Sequence, residues 1–116
     1  MTTKFSVHPI HLNKIAFEIV ARALYTESLR KNRIETLPGL MVNFLASDPD
    51  VEEIHLAIFN ELPVLSGDIL LRLKVPAVHS QTIADIRAKL CDGTGRRCSV
   101  RDVIIFACNS IIAFPA

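Results

Sequence analysis

The sequence predicts a small, helix-rich α+β protein. Three observations support this class: the chain has 116 residues, half of them are hydrophobic, and helical and strand periodicities alternate along it. A chain of this length forms one core, so we expect a single domain over residues 1–116, and no internal period is visible. The expected order of elements is α-β-α-β-α-α.

The N-terminal part, residues 1–66, is expected to hold a helix, a strand and a second helix. Apolar residues at three- and four-residue spacing predict the first helix over Pro9–Arg33, with its proline in the first turn. The apolar run Leu40–Leu45 follows a Leu-Pro-Gly turn and predicts a buried or pairing strand. Asp48-Pro49-Asp50 then predicts the start of a helix that ends before Pro63.

The C-terminal part, residues 67–116, is expected to hold a strand and two helices. Ile69–Val75 is the clearest strand, because its last five residues alternate strictly between apolar and basic. A helix should run from His79 or Ser80 to Leu90, followed by the Asp-Gly-Thr-Gly turn at 92–95. Ser99 should cap the last helix.

Charge is balanced over the whole chain but not between its two parts. Thirteen basic and twelve acidic residues give a net charge of +1, while residues 1–66 carry −2 and residues 67–116 carry +3. Seven basic residues lie between Arg72 and Arg101, against only Asp85 and Asp92. This imbalance indicates a basic face on the C-terminal part.

The segment 69–112 resembles the ribbon-helix-helix family of DNA-binding proteins. The resemblance lies in the basic alternating strand, the Val75-Pro76 pair, the helix, the glycine-containing turn and the helix that Ser99 opens. It implies that the strands of two chains pair antiparallel and enter the major groove. By position, Arg72 and Lys74 would read bases, while Ser99 and Val100 would hold a backbone phosphate.

The loop before Ser99 adds two further candidate DNA contacts. Arg96 and Arg97 follow Gly-Thr-Gly and precede a helix start, where backbone N–H groups and the helix dipole attract anions. Neither a phosphate-binding P-loop nor a dinucleotide fingerprint matches this segment. The alternative is that the loop is an ordinary solvated turn.

The pairing of the strand 69–75 decides between two arrangements. It could pair with its copy in a second chain, as the resemblance implies. It could instead pair in parallel with Leu40–Leu45 of its own chain through a crossover of ordinary length. In the second arrangement the charges of Arg72 and Lys74 would only prevent an edge strand from pairing with another chain.

Surplus apolar surface predicts a homodimer. Two strands do not form an independently stable sheet, and the last helix is apolar nearly all round. The residues expected at the dimer interface share the apolar faces of the last strand and helix: Leu71, Leu73, Val103, Ile104, Ala107 and Ile111. The alternative function is a small adaptor or chaperone-like protein that binds a protein partner through this helix or a strand edge.

No motif predicts catalysis, a cofactor or a metal. His8 and His11 lack further ligands at metal-binding spacing, and no nucleophile stands in a catalytic pattern, so we expect no enzyme. Cys91, Cys98 and Cys108 fit neither a disulfide framework nor a zinc site, so we expect free thiols. The longest uncharged run, fourteen residues, is too short to span a bilayer, and no secretory signal is visible, which predicts a cytoplasmic protein without membrane contact.

Overall fold

The computed structural model describes residues 4–47 and 49–113, and within them the chain forms two strands and five α-helices. The elements are β1 (Phe5–Leu12), α1 (Lys14–Lys31), α2 (Leu37–Ala46), α3 (Glu53–Asn60), β2 (Ile69–Pro76), a short 3-10 helix (Ala77–His79), α4 (Ser80–Thr94) and α5 (Val100–Ala113). The predicted α+β class is confirmed.

The first strand, β1, lies where the sequence predicts the beginning of a helix. Pro9 stands in the middle of this strand and not in a first helical turn. The helix α1 begins later, at Lys14, because the Asn13 side chain accepts a 2.9 Å hydrogen bond from the Ala16 N–H and caps it. The predicted helix over Pro9–Arg33 is therefore wrong before Lys14 and correct from there to Lys31.

The segment predicted as a strand over Leu40–Leu45 is the helix α2. Thr36 caps it by accepting a hydrogen bond of 3.2 Å from the Gly39 N–H, and Pro38 lies in its first turn, where proline is favoured. The Leu-Pro-Gly sequence thus starts a helix and does not mark a turn before a strand. The run of apolar residues is explained by burial, because Leu40, Met41 and Leu45 all face the core.

The helix α3 is shorter than predicted. It begins at Glu53, without a side-chain cap, and not at the Asp48-Pro49-Asp50 signal, of which Asp48 lies outside the described residues. It ends at Asn60, before Pro63. Only Phe59 in this helix is fully buried.

The predicted elements of the C-terminal part are confirmed. The strand β2, the helix α4 and the helix α5 occupy the expected positions. The helix α4 continues through the predicted turn to Thr94, and Gly95 ends it in the left-handed conformation, at φ +68°. Ser99 directly precedes α5, and its carbonyl oxygen accepts a hydrogen bond of 3.3 Å from the Val103 N–H.

The two strands pair antiparallel within one chain. Val7 lies opposite Lys74, Pro9 opposite Arg72, and His11 opposite Leu70. Parallel pairing of β2 with Leu40–Leu45 is thereby excluded. The antiparallel direction is that of the ribbon-helix-helix arrangement, but the partner of β2 is β1 of the same chain.

The chain contains the unit strand-helix-helix twice. The first unit is β1-α1-α2, the second is β2-α4-α5, and α3 lies in the connection between them. The units interleave, because α2 packs against β2, α5 packs against β1, and α1 lies along α5. The N- and C-terminal parts of the chain therefore share their packing surfaces.

The helix α5 is at the centre of the hydrophobic core. Its residues from Asp102 to Cys108 are all buried, and the rings of Phe44, His55 and Phe59 surround Phe106 at centroid distances of 5.9–6.5 Å. Of the expected dimer-interface residues, four are buried within the single chain: Leu73, Val103, Ile104 and Ala107.

Candidate nucleic-acid interface

The outer face of the ribbon β1–β2 is exposed along both strands. Side chains alternate along a strand, so one face of the ribbon packs on the core and the other faces outward. The outward side chains on β1 and β2 are Phe5, Val7, Pro9, His11, Leu70, Arg72 and Lys74. A two-stranded ribbon with helices behind it and a free front face is the shape that fits a DNA major groove.

The two predicted base readers, Arg72 and Lys74, are both exposed on this outer face. Lys74 places its ammonium 4.6 Å from the ring centroid of Phe5, a cation–π contact. Arg72 lies opposite Pro9, whose ring offers no competing hydrogen-bond donor or acceptor. Arg72 is therefore the less constrained of the two cations.

The predicted phosphate clamp at the start of α5 is already partly occupied by a carboxylate. The Ser99 N–H donates a hydrogen bond of 2.7 Å to Oδ2 of Asp102, and the Ser99 hydroxyl contacts the same oxygen at 3.2 Å. This is one half of a capping box, in which the acid at the third helical position accepts from the backbone N–H of the residue that precedes the helix. Both Ser99 donors are engaged within the protein, and Val100 is the member of the predicted pair that is left for an anion.

The two loop arginines lie on the surface beside the same helix start. Arg96 and Arg97 are exposed and line a 180 Å³ cavity together with Arg101, Asp102 and the loop at 63–66. The guanidinium of Arg96 lies 5.7 Å from the ring centroid of Phe59. The sequence did not single out Arg101, although its position two residues after Ser99 places it in the first turn of α5.

A second cavity connects the start of α5 to the ribbon. It has a volume of about 360 Å³ and is lined by His8, Pro9, Ile10, His11, Arg87, Ser99, Val100 and Arg101. Two buried nitrogens near it, Nε2 of His8 and Nε of Arg101, have no hydrogen-bond partner among the described residues. The structure thus brings Ser99 and Val100 next to β1, while Arg72 and Lys74 stand on β2.

The two histidines of β1 lie on opposite faces of the strand. His8 faces the protein and His11 faces outward, because their positions differ by an odd number of residues in a strand. Among residues 4–47 and 49–113 no group of three or more His, Cys, Asp or Glu side chains could hold a metal ion. Within the same residues no helix combines the length and the apolar character needed to cross a membrane.

Comparison with known proteins finds no matching family, no matching curated protein and no matching solved structure.

Proposed function

We propose that the protein binds duplex DNA with the outer face of the ribbon β1–β2. The observation that carries the proposal is the antiparallel ribbon, which has one face packed on helices and the other exposed with Arg72 and Lys74 on it. The chain shares with ribbon-helix-helix proteins the order strand-helix-helix, present here twice. One chain therefore supplies both strands of the reading element.

Base recognition would depend chiefly on Arg72. An arginine can form two hydrogen bonds with O6 and N7 of guanine in the major groove. Lys74 can make a similar contact once its ammonium leaves the Phe5 ring. Apolar outward side chains such as Val7 suit the methyl group of thymine. Because β1 and β2 differ in this way, we expect the preferred DNA site to be non-palindromic.

Backbone contacts would come from the start of α5. Val100 contributes a first-turn N–H, which has no acceptor inside a helix, and Arg96, Arg97 and Arg101 contribute positive charge around it. Such contacts fix the protein on the duplex without reading its sequence. Base contacts determine sequence preference and backbone contacts do not, so substitutions can distinguish the two roles.

The direct test is binding to duplex DNA over a series of salt concentrations. Phosphate contacts release counterions, so the logarithm of the binding constant should fall linearly with the logarithm of the salt concentration. Selection from a random duplex pool should yield an asymmetric preferred site. Absence of binding above background at about 50 mM salt, where phosphate contacts are strong, would remove the proposal.

A matched pair of variants tests the reading role of Arg72. Arg72→Ala should lose roughly 1–3 kcal/mol on the preferred site and relax the sequence preference there. Arg22→Ala removes the same charge from an exposed position on α1 and is the control. Equal losses in the two variants would mean that Arg72 acts through net charge alone.

The second candidate function is the binding of a protein partner. The surface that supports it is not the last helix, which the sequence had indicated. The last helix cannot serve as the partner surface while the fold is intact, since α5 is buried from Asp102 to Cys108. An apolar cavity of about 240 Å³ between α1, α2 and β2 is the surface that favours this function. Phe17 lies at its rim and is 41% exposed. Arg72 lines the same cavity, so the test uses a neutral side chain: loss of a captured partner in Phe17→Ser, with DNA binding unchanged, would favour this function.

A further inference from the structure

The turn between α4 and α5 holds two of the three cysteines in contact. Cys91 lies in the last turn of α4, and Cys98 lies directly before Ser99. The Cys98 N–H donates a hydrogen bond to the Cys91 sulfur at 3.2 Å, and the Cys91 sulfur is 4.0 Å from the Cys98 carbonyl oxygen. The Cys98 sulfur in turn is 3.7 Å from the Thr94 hydroxyl. Both thiols are free.

We propose that Cys91 and Cys98 form a site of reversible oxidation by hydroperoxides, at which a disulfide closes the α4–α5 turn. A disulfide requires Cα atoms about 4.4–6.8 Å apart. A Cys91 sulfur that touches the backbone amide of Cys98 is compatible with this separation. The inference does not depend on DNA binding.

The reaction has two steps, and hydrogen peroxide is the oxidant. The Cys91 thiolate attacks one peroxide oxygen, the O–O bond breaks, and the leaving hydroxide takes a proton to become water. The Cys98 thiolate then attacks the sulfur of the resulting sulfenic acid, the S–O bond breaks, and a second water leaves. In total, two thiols and one hydrogen peroxide give one disulfide and two waters.

Burial assigns different roles to the three thiols. Cys91 is half-buried, whereas Cys98 and Cys108 are buried, so the peroxide reaches Cys91 first. Burial raises the pKa of the Cys98 thiol, which lowers its thiolate fraction and disfavours Cys98 as the thiol that attacks the peroxide first. Burial in α5 raises the pKa of the Cys108 thiol to about 12, so this thiol stays protonated and unreactive. Cys108 is therefore a control within the same chain.

The test uses the reduced chain of 116 residues, hydrogen peroxide and tryptic mapping. Cleavage after Lys89, Arg96, Arg97 and Arg101 places the three cysteines on separate peptides, 90–96, 98–101 and 102–116. We expect the protein to lose the mass of two hydrogen atoms, peptides 90–96 and 98–101 to be linked, and dithiothreitol to reverse both changes. A link that includes Cys108, a link between two chains, or no loss of thiols would overturn the proposal.

Single substitutions test the order of the steps. In Cys98→Ser the sulfenic acid at Cys91 should persist and be trapped by dimedone, whereas Cys91→Ser should give neither a dimedone adduct nor a disulfide. Cys108→Ala should leave the linked peptides unchanged. Dimedone labelling of Cys98 in Cys91→Ser, at the rate seen for Cys91 in Cys98→Ser, would contradict the assignment of Cys91 as the first thiol attacked.

Discussion

The backbone N–H of Asn13 donates a hydrogen bond of 2.9 Å to the carbonyl oxygen of Leu65, which ties the start of α1 to the loop before β2. The Asn13 side chain also donates to the Val64 carbonyl oxygen. Gly67 packs so closely behind this contact that an added Cβ would lie 2.7 Å from the Asn13 nitrogen and 2.7 Å from the Leu12 oxygen. The loop at 63–67, which joins the two parts of the chain, is thus held against the β1–α1 junction.

Gly67→Ala should destabilise the fold by about 1–3 kcal/mol, because overpacking against fixed backbone forces the loop or the strand to shift. Denaturant unfolding gives the free energy of unfolding directly. Ser66→Ala, at the exposed neighbouring position, is the control and should lie within about 0.5 kcal/mol of the wild type. A Gly67→Ala protein as stable as this control would show that the loop moves freely.

Ile104→Asp should unfold the protein. Ile104 is 1% exposed at the centre of α5, so the new carboxylate would be buried without a partner at a cost of several kcal/mol, comparable to the whole stability of a small domain. Circular dichroism should show the loss of helix. Ala113→Asp, at the exposed end of the same helix, should retain the fold. A folded Ile104→Asp protein would mean that α5 is not central to the core.

The buried Glu27 should make stability depend on acid pH. Glu27 accepts hydrogen bonds of 2.9 Å and 2.7 Å from Arg30, and this interaction, with a further contribution from Lys31, lowers the pKa of Glu27 below its usual 4.5. A lowered pKa in the folded state gives stability that is present above the unfolded pKa and lost as the pH falls through the folded pKa.

We therefore expect Glu27→Gln to be less stable than the wild type near neutral pH by about 1 kcal/mol, since Arg30 is partly exposed. The difference should shrink as the pH falls below 4.5. Thermal melts of both proteins at several pH values measure this difference. A gap that stays constant down to strongly acid pH would attribute the effect to packing and not to the charge of Glu27.

The homodimer remains a prediction, but the exposed apolar surface that supports it differs from the one expected from the sequence. Most of the residues expected at its interface are covered within one chain, and only Leu71 and Ile111 are partly exposed. Well-exposed apolar side chains include Tyr25 and Leu29 on α1, and others, such as Ile34 and Val78, lie outside that helix. Light scattering of a dimer should give about twice the chain mass of 12.9 kDa. A monomer would leave the proposed DNA-binding ribbon complete, since both of its strands belong to one chain.

The sequence predicted β2 and missed β1 for the same physical reason. Arg72 and Lys74 alternate with buried residues, so the period of two is visible in the letters. On β1 the outward side chains Phe5, Val7 and Pro9 are apolar, while Ser6 and His8 between them are polar and half-buried, so the alternation is inverted there and does not mark a buried apolar face. The repeated strand-helix-helix unit is not visible in the sequence either, because the strand that begins its first copy lacks a recognisable strand pattern.

The helix α2 was mistaken for a strand because its run of apolar residues has no helical period. Short apolar runs do not distinguish a buried helix from a buried strand. The cap Thr36, with Pro38 in the first turn, was the available signal for a helix.

At the candidate site, the positions of Arg96 and Arg97 beside a helix start could be predicted from the sequence. The contact between Ser99 and Asp102 is local and is also expected from the capping pattern, whereas the approach of α5 to β1 depends on tertiary packing.

The last prediction separates the loop arginines from Arg72. Arg96→Ala and Arg97→Ala should weaken binding to the preferred site and to random DNA by the same factor, because interactions with phosphates carry no sequence information. Each should also reduce the salt slope by about one unit for every phosphate that the variant no longer neutralises. Lys89→Ala, in the second half of α4 where the ammonium lies 3.7 Å from Asp50, removes one charge without touching the loop and should leave the slope unchanged. If Lys89→Ala and Arg96→Ala reduce the slope equally, the protein is held by its overall charge and the start of α5 has no special role.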